Sequence, residues 1–351
     1  MMSELFQLIQ KKKLKTTAIV GMTKNVGKTV AFNHIVKGLK ANKIRAGLVS
    51  AGYDGERFDR LTLKEKPKIF APDGALVATA EACFEAADAV LELIEKSSFA
   101  TPLGPVLVGE VKKAGRVELA GPASVSGLLE LVKTMHRQGA DRVLVDGAIN
   151  RLASASPAVS DGTILATGAS LGPTMDDVVK KTVFRRTILE TPAVEDDLLL
   201  SLAKEGLVSG NAVLLHREGN GYRVEAVREM IPLLAGAQLI DKCRRETAAF
   251  VFGGALVDNN LQDIMELYEN PPVVIVRDAT RLFVSPEIYR RYINKRGRIL
   301  ALQKINLIAV TLNPTDPMGR DYDPEMFLQV MSEALRPCPV LDLVLQKDNL
   351  S

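Results

Sequence analysis

The sequence has no tryptophan, three cysteines and three histidines, and aromatic residues make up only 5% of it. Cys83, Cys243 and Cys338 are odd in number and far apart, which excludes a paired disulfide framework. His34, His136 and His216 are equally dispersed, so no zinc-type spacing can be assembled from the two residue types. Neither sign of charge dominates: 45 Lys and Arg stand against 42 Asp and Glu, a net charge of +3. That balance argues against nucleic acid as the main partner, and the one basic run, Lys11–Lys13 with Lys15, reads as a solvated helix end. No apolar run reaches the length of a membrane span, and MMSELFQLIQKKK lacks the basic-then-apolar order of a signal peptide. The expectation is a protein of the reducing cytoplasm with no membrane partner. Internal repeats and low-complexity linkers are absent too, and neither Ser154 nor Ser156 lies in a G-x-S-x-G context. The pair Gly253-Gly254 lacks the three-glycine dinucleotide form and reads as close helix–strand packing.

What is present is core material: 47% of residues are hydrophobic and 25% charged. After an amphipathic start (Leu5, Leu8, Ile9), TTAIVG at 16–21 reads as a buried strand, AFNHIVKGLKANK at 31–43 as a helix and RAGLVS at 45–50 as a strand. This is a βαβ unit, which requires a parallel sheet and a right-handed crossover. A long apolar helix is expected within 75–96, strands at 105–111 and 116–121, and a serine-capped helix within 121–139. RVLVDGA (142–148) and TILATGAS (163–170) read as buried strands, with a helix at 175–186. The expected fold is α/β: a doubly wound, mostly parallel sheet over residues 1–190 and a connecting region with a small β-rich piece at 191–245. A smaller α/β unit, or an extension of the first sheet, is expected at 246–351.

The sharpest signal is Gly21-Met-Thr-Lys-Asn-Val-Gly27-Lys28-Thr29, lying between an expected strand and an expected helix. Glycines let the backbone curl so that successive N–H groups face a phosphate, and the helix that follows adds its positive end. The candidate cradle is Gly21, Thr23, Lys24, Asn25, Val26, Gly27, Lys28, Thr29 and Val30. Lys28 would meet β- and γ-phosphate charge, and the Thr29 hydroxyl would hold Mg²⁺. The first glycine stands six residues before the last, one more than in the common form, since position 22 is Met22.

Such a loop needs carboxylates at the C-terminal ends of neighbouring strands. Asp146 ends RVLVD and is the candidate magnesium aspartate. Asp54, after RAGLVS, is a second candidate for metal binding and for orienting water, although Gly52 and Gly55 beside it are also turn signals. Glu110 ends PVLVGE and is the third. Ser124 in GPAS (121–124) either caps a helix or meets a second anion, and Arg151 is a candidate for charge stabilisation. Asn313, in VTLNPTDPMG, is either a base-reading residue or part of an Asn-Pro turn.

The run AIVGMTKNVGKTVAFNHIVKGL resembles the loop of dethiobiotin synthetase and its P-loop relatives, which share the longer glycine spacing. By motif position the resemblance gives Thr29 and Asp146 the metal and Lys28 the phosphates. AGYDGE stands where that family carries a lysine and a proline. Over residues 16–170 the segments GMTKNVGKT, SAGYDGE, KPKIFAPDGALVATA, GPVLVGEV, ELAGPAS, VDGAINRLASASP and ILATGAS together resemble the KamB-type reactivase subunit of adenosylcobalamin-dependent lysine 5,6-aminomutase. This resemblance implies an ATPase-like component that restores an inactivated aminomutase. The expected ligands are therefore Mg²⁺ and ATP, with GTP as the alternative, and the expected partner is an aminomutase or other enzyme. The rival expectation is an ATP-dependent small-molecule ligase or kinase. Residues 191–351 would serve as a partner-binding unit, a base-recognition lobe or a homodimer surface.

Overall fold

The computed structural model describes residues 4–52, 68–148, 152–209, 212–227 and 242–345. The expected βαβ unit forms as strand β1 (Thr16–Gly21), helix α2 (Lys28–Ala41) and strand β2 (Ala46–Ser50), preceded by helix α1 (Glu4–Lys11). Strands β3 (Ile69–Ala71) and β4 (Leu76–Ala80), the short helix α3 (Glu81–Glu85) and the long hairpin β5 (Val90–Thr101) and β6 (Gly104–Lys113) follow. Then come β7 (Gly115–Val117), α4 (Val125–Arg137), β8 (Arg142–Ala148), β9 (Gly162–Gly168) and α5 (Met175–Leu189).

The helix expected within 75–96 is corrected by β4, α3 and β5. β4 is buried at every position, so its sequence LVATA shows no strand alternation and mimics a buried helix segment. The strand expected at 116–121 shrinks to β7, which pairs with β3 outside the main sheet.

Two compact units result: residues up to Arg186 with those from Asn306 onward, and Thr187–Ile305. The second unit holds α6 (Asp197–Ser209), β10 (Ala212–Glu218), β11 (Gly221–Val227), β12 (Thr247–Phe252), β13 (Leu256–Val257) and α7 (Asp258–Leu267). It continues with β14 (Val273–Val276), β15 (Leu282–Phe283), α8 (Pro286–Asn294) and β16 (Ile299–Ala301). The chain then returns to the first unit with β17 (Leu307–Asn313), α9 (Pro324–Ala334) and β18 (Val340–Asp342). The stretch expected as a C-terminal unit, 246–351, is thus divided at Ile305: its first part completes the sheet begun by β10 and β11, and its second part extends the first sheet.

The large sheet has the order β18-β17-β9-β1-β8-β2-β4-β6-β5. Its first seven strands are parallel, and β6 and β5 close one edge as an antiparallel hairpin. Helices cover both faces. On one, Phe6, Ile9, Phe32, Ile35 and Leu39 of α1 and α2 pack over Ile19, Leu48, Leu144, Ile164 and Ala309. Each buried Phe or Ile there contributes roughly 1.5–3 kcal/mol. The opposite face takes α4, whose Met135 sulfur lies near the glycine gap at Gly47 beside Val143. Burial on both faces makes β1, β8 and β9 near-continuous apolar runs, and the loops at their C-terminal ends share one rim. No helix among the described residues is long and apolar enough to cross a membrane.

Candidate functional site

The rim site starts where β1 ends. Met22 N–H still donates to Ala166 O of β9 at 2.9 Å, after which the chain leaves the sheet. Asn25 (φ 61°) and Gly27 (φ 81°) take left-handed backbone, which reverses the loop into α2. At Gly27 only glycine fits freely: its φ disfavours a side chain, and a Cβ would lie 3.1 Å from Asn313 Cβ. Thr23, Lys24 and Asn25 are exposed, Val26 is buried beneath the loop, and Thr29 is half-buried in the first turn of the helix. Among the described residues no side chain caps α2, and its first turn has no acidic residue, so the positive end of the helix faces the loop.

Neighbouring strands grip the loop from one side. Asn313, the last residue of β17, donates from Nδ2 to Asn25 O at 2.6 Å, and its Oδ1 accepts the Thr315 hydroxyl at 2.9 Å. Ser170, just past β9, donates to Lys24 O at 2.9 Å. Two carbonyls on the outer turn of the loop are thereby tied down. Ser170 escaped sequence reasoning, which had no means of pairing it with a residue 146 positions away.

On the other side stands Asp146. β8 is the direct neighbour of β1, with Asp146 level with Ile19 on one side and with Ser50 of β2 on the other. Lys28 Nζ lies 3.1 Å from Asp146 Oδ1 and 3.2 Å from Oδ2. Their side chains are 23% and 18% exposed, so water reaches both without swamping the pair. The Asp146 carbonyl accepts Ala51 N–H at 2.7 Å, which fixes the end of β2 beside it. Gly147 is glycine because the buried Ser154 fills the space its Cβ would need.

The remaining candidates separate. Asp54 and Arg151 lie outside the described residues. Glu110 is not on this rim. It pairs with Leu76 at the start of β4, because β6 runs antiparallel and its C-terminal end points the other way. There the hydrogen bond from Lys112, reinforced by the Lys112 and Arg45 charges, holds the Glu110 carboxyl below its ordinary range. Ser124 caps α4, accepting Gly127 N–H at 3.1 Å. The adjacent Gly121 and Pro122 pack on the end of β2: Pro122 O accepts Gly52 N–H at 3.0 Å.

A second polar cluster braces the smaller unit. Buried His216 sits with Nδ1 3.1 Å from Thr247 Oγ1 and Nε2 3.3 Å from Glu225 Oε2, and Lys242 reaches Glu225 Oε1 at 2.8 Å. Lys242 holds the Glu225 carboxyl below the usual carboxylate range, the His216 ring adding to the effect. His216 lies where the β10–β12 register shifts, so the cluster pins an irregular strand pair.

Among the described residues, the rim gathers a helix N-terminus, the Lys28 ammonium and the Asp146 carboxylate around a left-handed glycine loop. That combination suits an anion accompanied by a hard cation: Asp146 and the Thr29 hydroxyl are oxygen donors of the kind Mg²⁺ takes. Comparison of the chain with family models, with curated proteins and with solved structures finds no match.

Proposed function

We propose that the chain is a P-loop nucleoside triphosphatase that binds ATP, or alternatively GTP, with Mg²⁺ at Gly21–Thr29 and uses hydrolysis to switch or reactivate a partner enzyme. The observation that carries this reading is the Lys28–Asp146 pair, which joins the start of α2 to β8, the strand beside β1. Amides of the loop and of the first turn of α2 would receive phosphate oxygens, with Lys28 moving from Asp146 to the β- and γ-phosphates. Asp146, released, would join Thr29 as a metal ligand, and Asp54 is the candidate for orienting the attacking water. Bound Mg²⁺ would neutralise charge developing on the phosphates. Asn313 and Ser170, which hold the carbonyls of Asn25 and Lys24, link the loop to the ends of β17 and β9, so occupancy of the loop can pass to those strand ends.

The partner enzyme in this proposal is a cobalamin-dependent aminomutase, the partner of the KamB-type subunit that residues 16–170 resemble. The test is calorimetric titration of Mg-ATP and Mg-GTP into the chain and into Lys28→Ala. Micromolar binding lost in the variant supports the reading and names the base. Failure of both nucleotides to bind refutes it. Turnover accelerated by a small carboxylate or amine instead of a protein would favour the ligase or kinase alternative.

A further inference from the structure

We infer that the α7–α8 face of the smaller unit is a self-complementary surface on which a second copy of this chain docks. α7 leads from β12 towards β14 and α8 from β14 towards β16, all three strands parallel neighbours. Right-handed crossovers therefore set the two helices side by side on one face, running in the same direction. α6 occupies the other face, where Ala203 and Leu207 pack on Val213, Val251 and Ile275.

The two helices carry opposite charge. Residues 258–269 contain Asp258, Asp263, Glu266 and Glu269 and no basic residue, whereas residues 286–298 contain five basic residues and one acidic one. Although the helices are in contact, no ion pair joins them among the described residues. Between them runs a groove of about 620 Å³, lined on the α7 side by Gln262, Met265 and Glu266 and on the α8 side by Arg291, Asn294 and Lys295. Burial and the neighbouring Glu266 charge push the Asp263 carboxyl above its ordinary range. Among the described residues, the one cation of the α8 side that reaches α7, Lys295, donates to the Met265 carbonyl at 2.8 Å and not to a carboxylate. Each helix also exposes one large apolar side chain, Leu267 (43%) and Ile293 (41%).

A surface with separated acidic and basic stripes is complementary to itself in one arrangement only. With a two-fold axis along the helices, α7 of one copy lies over α8 of the other, and both contacts set acid against base. With the axis across the helices, α7 meets α7 and like charges face each other. Charge thus selects the register, while Leu267, Ile293 and the groove wall supply the apolar area to be covered.

The test is sedimentation velocity over a concentration series at about 0.05 M and about 0.5 M salt, where screening lengths differ several-fold. A dimer that dissociates at high salt is expected. Glu266→Arg and Arg291→Glu should each be monomeric alone, because each places like charges across both contacts. Mixed together, the two should form a heterodimer, because every contact is then attractive. Both side chains are exposed, and circular dichroism and melting curves check that both variants fold. A chain that stays monomeric throughout, even one that binds an acidic peptide on this face, overturns the inference, as does a dimer indifferent to both reversals.

Discussion

Replacing Asp146 by Asn should move nucleotide affinity in opposite directions with and without magnesium. In the free protein Lys28 Nζ is held 3.1 and 3.2 Å from the two carboxylate oxygens of Asp146. At 23% and 18% exposure the pair lies between a surface ion pair and a sealed one, which sets its strength near about 1 kcal/mol, the upper end for exposed pairs. A phosphate that recruits Lys28 must first break that pair. Since about 1.4 kcal/mol is a tenfold change, removing the Asp146 charge should tighten metal-free ATP binding about fivefold. Relief of repulsion between Asp146 and the triphosphate acts in the same direction. With Mg²⁺ the sign reverses, because the variant offers a neutral amide where the cation needs a carboxylate, and a loss of at least about tenfold is expected. The assay is calorimetry of ATP with excess chelator and with saturating Mg²⁺, on the native chain, Asp146→Asn and Lys28→Ala. Lys28→Ala should weaken both conditions. If Asp146→Asn leaves metal-free binding unchanged or weaker, Asp146 does not hold Lys28 back in solution. If it leaves Mg-ATP binding unchanged, Asp146 is not the metal's carboxylate.

Three further outcomes follow from the geometry. Gly27→Ala forces a side chain into left-handed backbone and within 3.1 Å of Asn313 Cβ, so a destabilisation of roughly 1–2 kcal/mol in urea melts is expected, together with weaker nucleotide binding. Gly38→Val pushes into the Phe6 ring, which lies 2.7 Å from the position of a Cβ. Overpacking of roughly 1–3 kcal/mol should appear in the same melts, without loss of nucleotide affinity in the folded fraction. Because Lys242 lowers the Glu225 carboxyl in the folded chain, that group adds stability above its unfolded value of about 4.3, and the contribution fades as pH falls through the lower folded value. Lys242→Met should therefore flatten the acid side of a stability–pH profile, and an unchanged profile would contradict the pairing.

The parts of the fold legible in the sequence are those encoded within one crossover. TTAIVG, the glycine loop and α2 announce themselves together because strand burial, positive φ and helical spacing are local properties. β8 is equally plain, since burial on both faces turns it into a run of apolar residues ending in Asp146. The same burial defeats the reading over 76–80, where alanines and valines buried on both faces satisfy a strand and a helix alike, whereas β5 is exposed or half-buried along its length. The edge hairpin that makes β4 an inner strand has one local mark, Pro102 and Gly104 (φ 99°) at its turn, but nothing local says which strand it pairs with.

The site divides along the same line. Lys28 and Asp146 were nameable because each sits at a fixed offset from a recognisable element, yet their contact depends on β8 lying next to β1, which is a property of strand order. Asn313 shows how far this reaches. Its sequence context, followed by Pro314, signals a turn, with a base-reading role as the alternative. Because the chain leaves the first unit after α5 and returns as β17, Asn313 arrives against Gly27 and donates to Asn25, 288 residues earlier. The insertion of Thr187–Ile305 between β9 and β17 hides that adjacency from any reading along the chain, while the parallel pairing of the two strands enforces it. Residues that grip a loop from beyond an inserted unit are thus the ones a sequence conceals, even where the loop itself is plain.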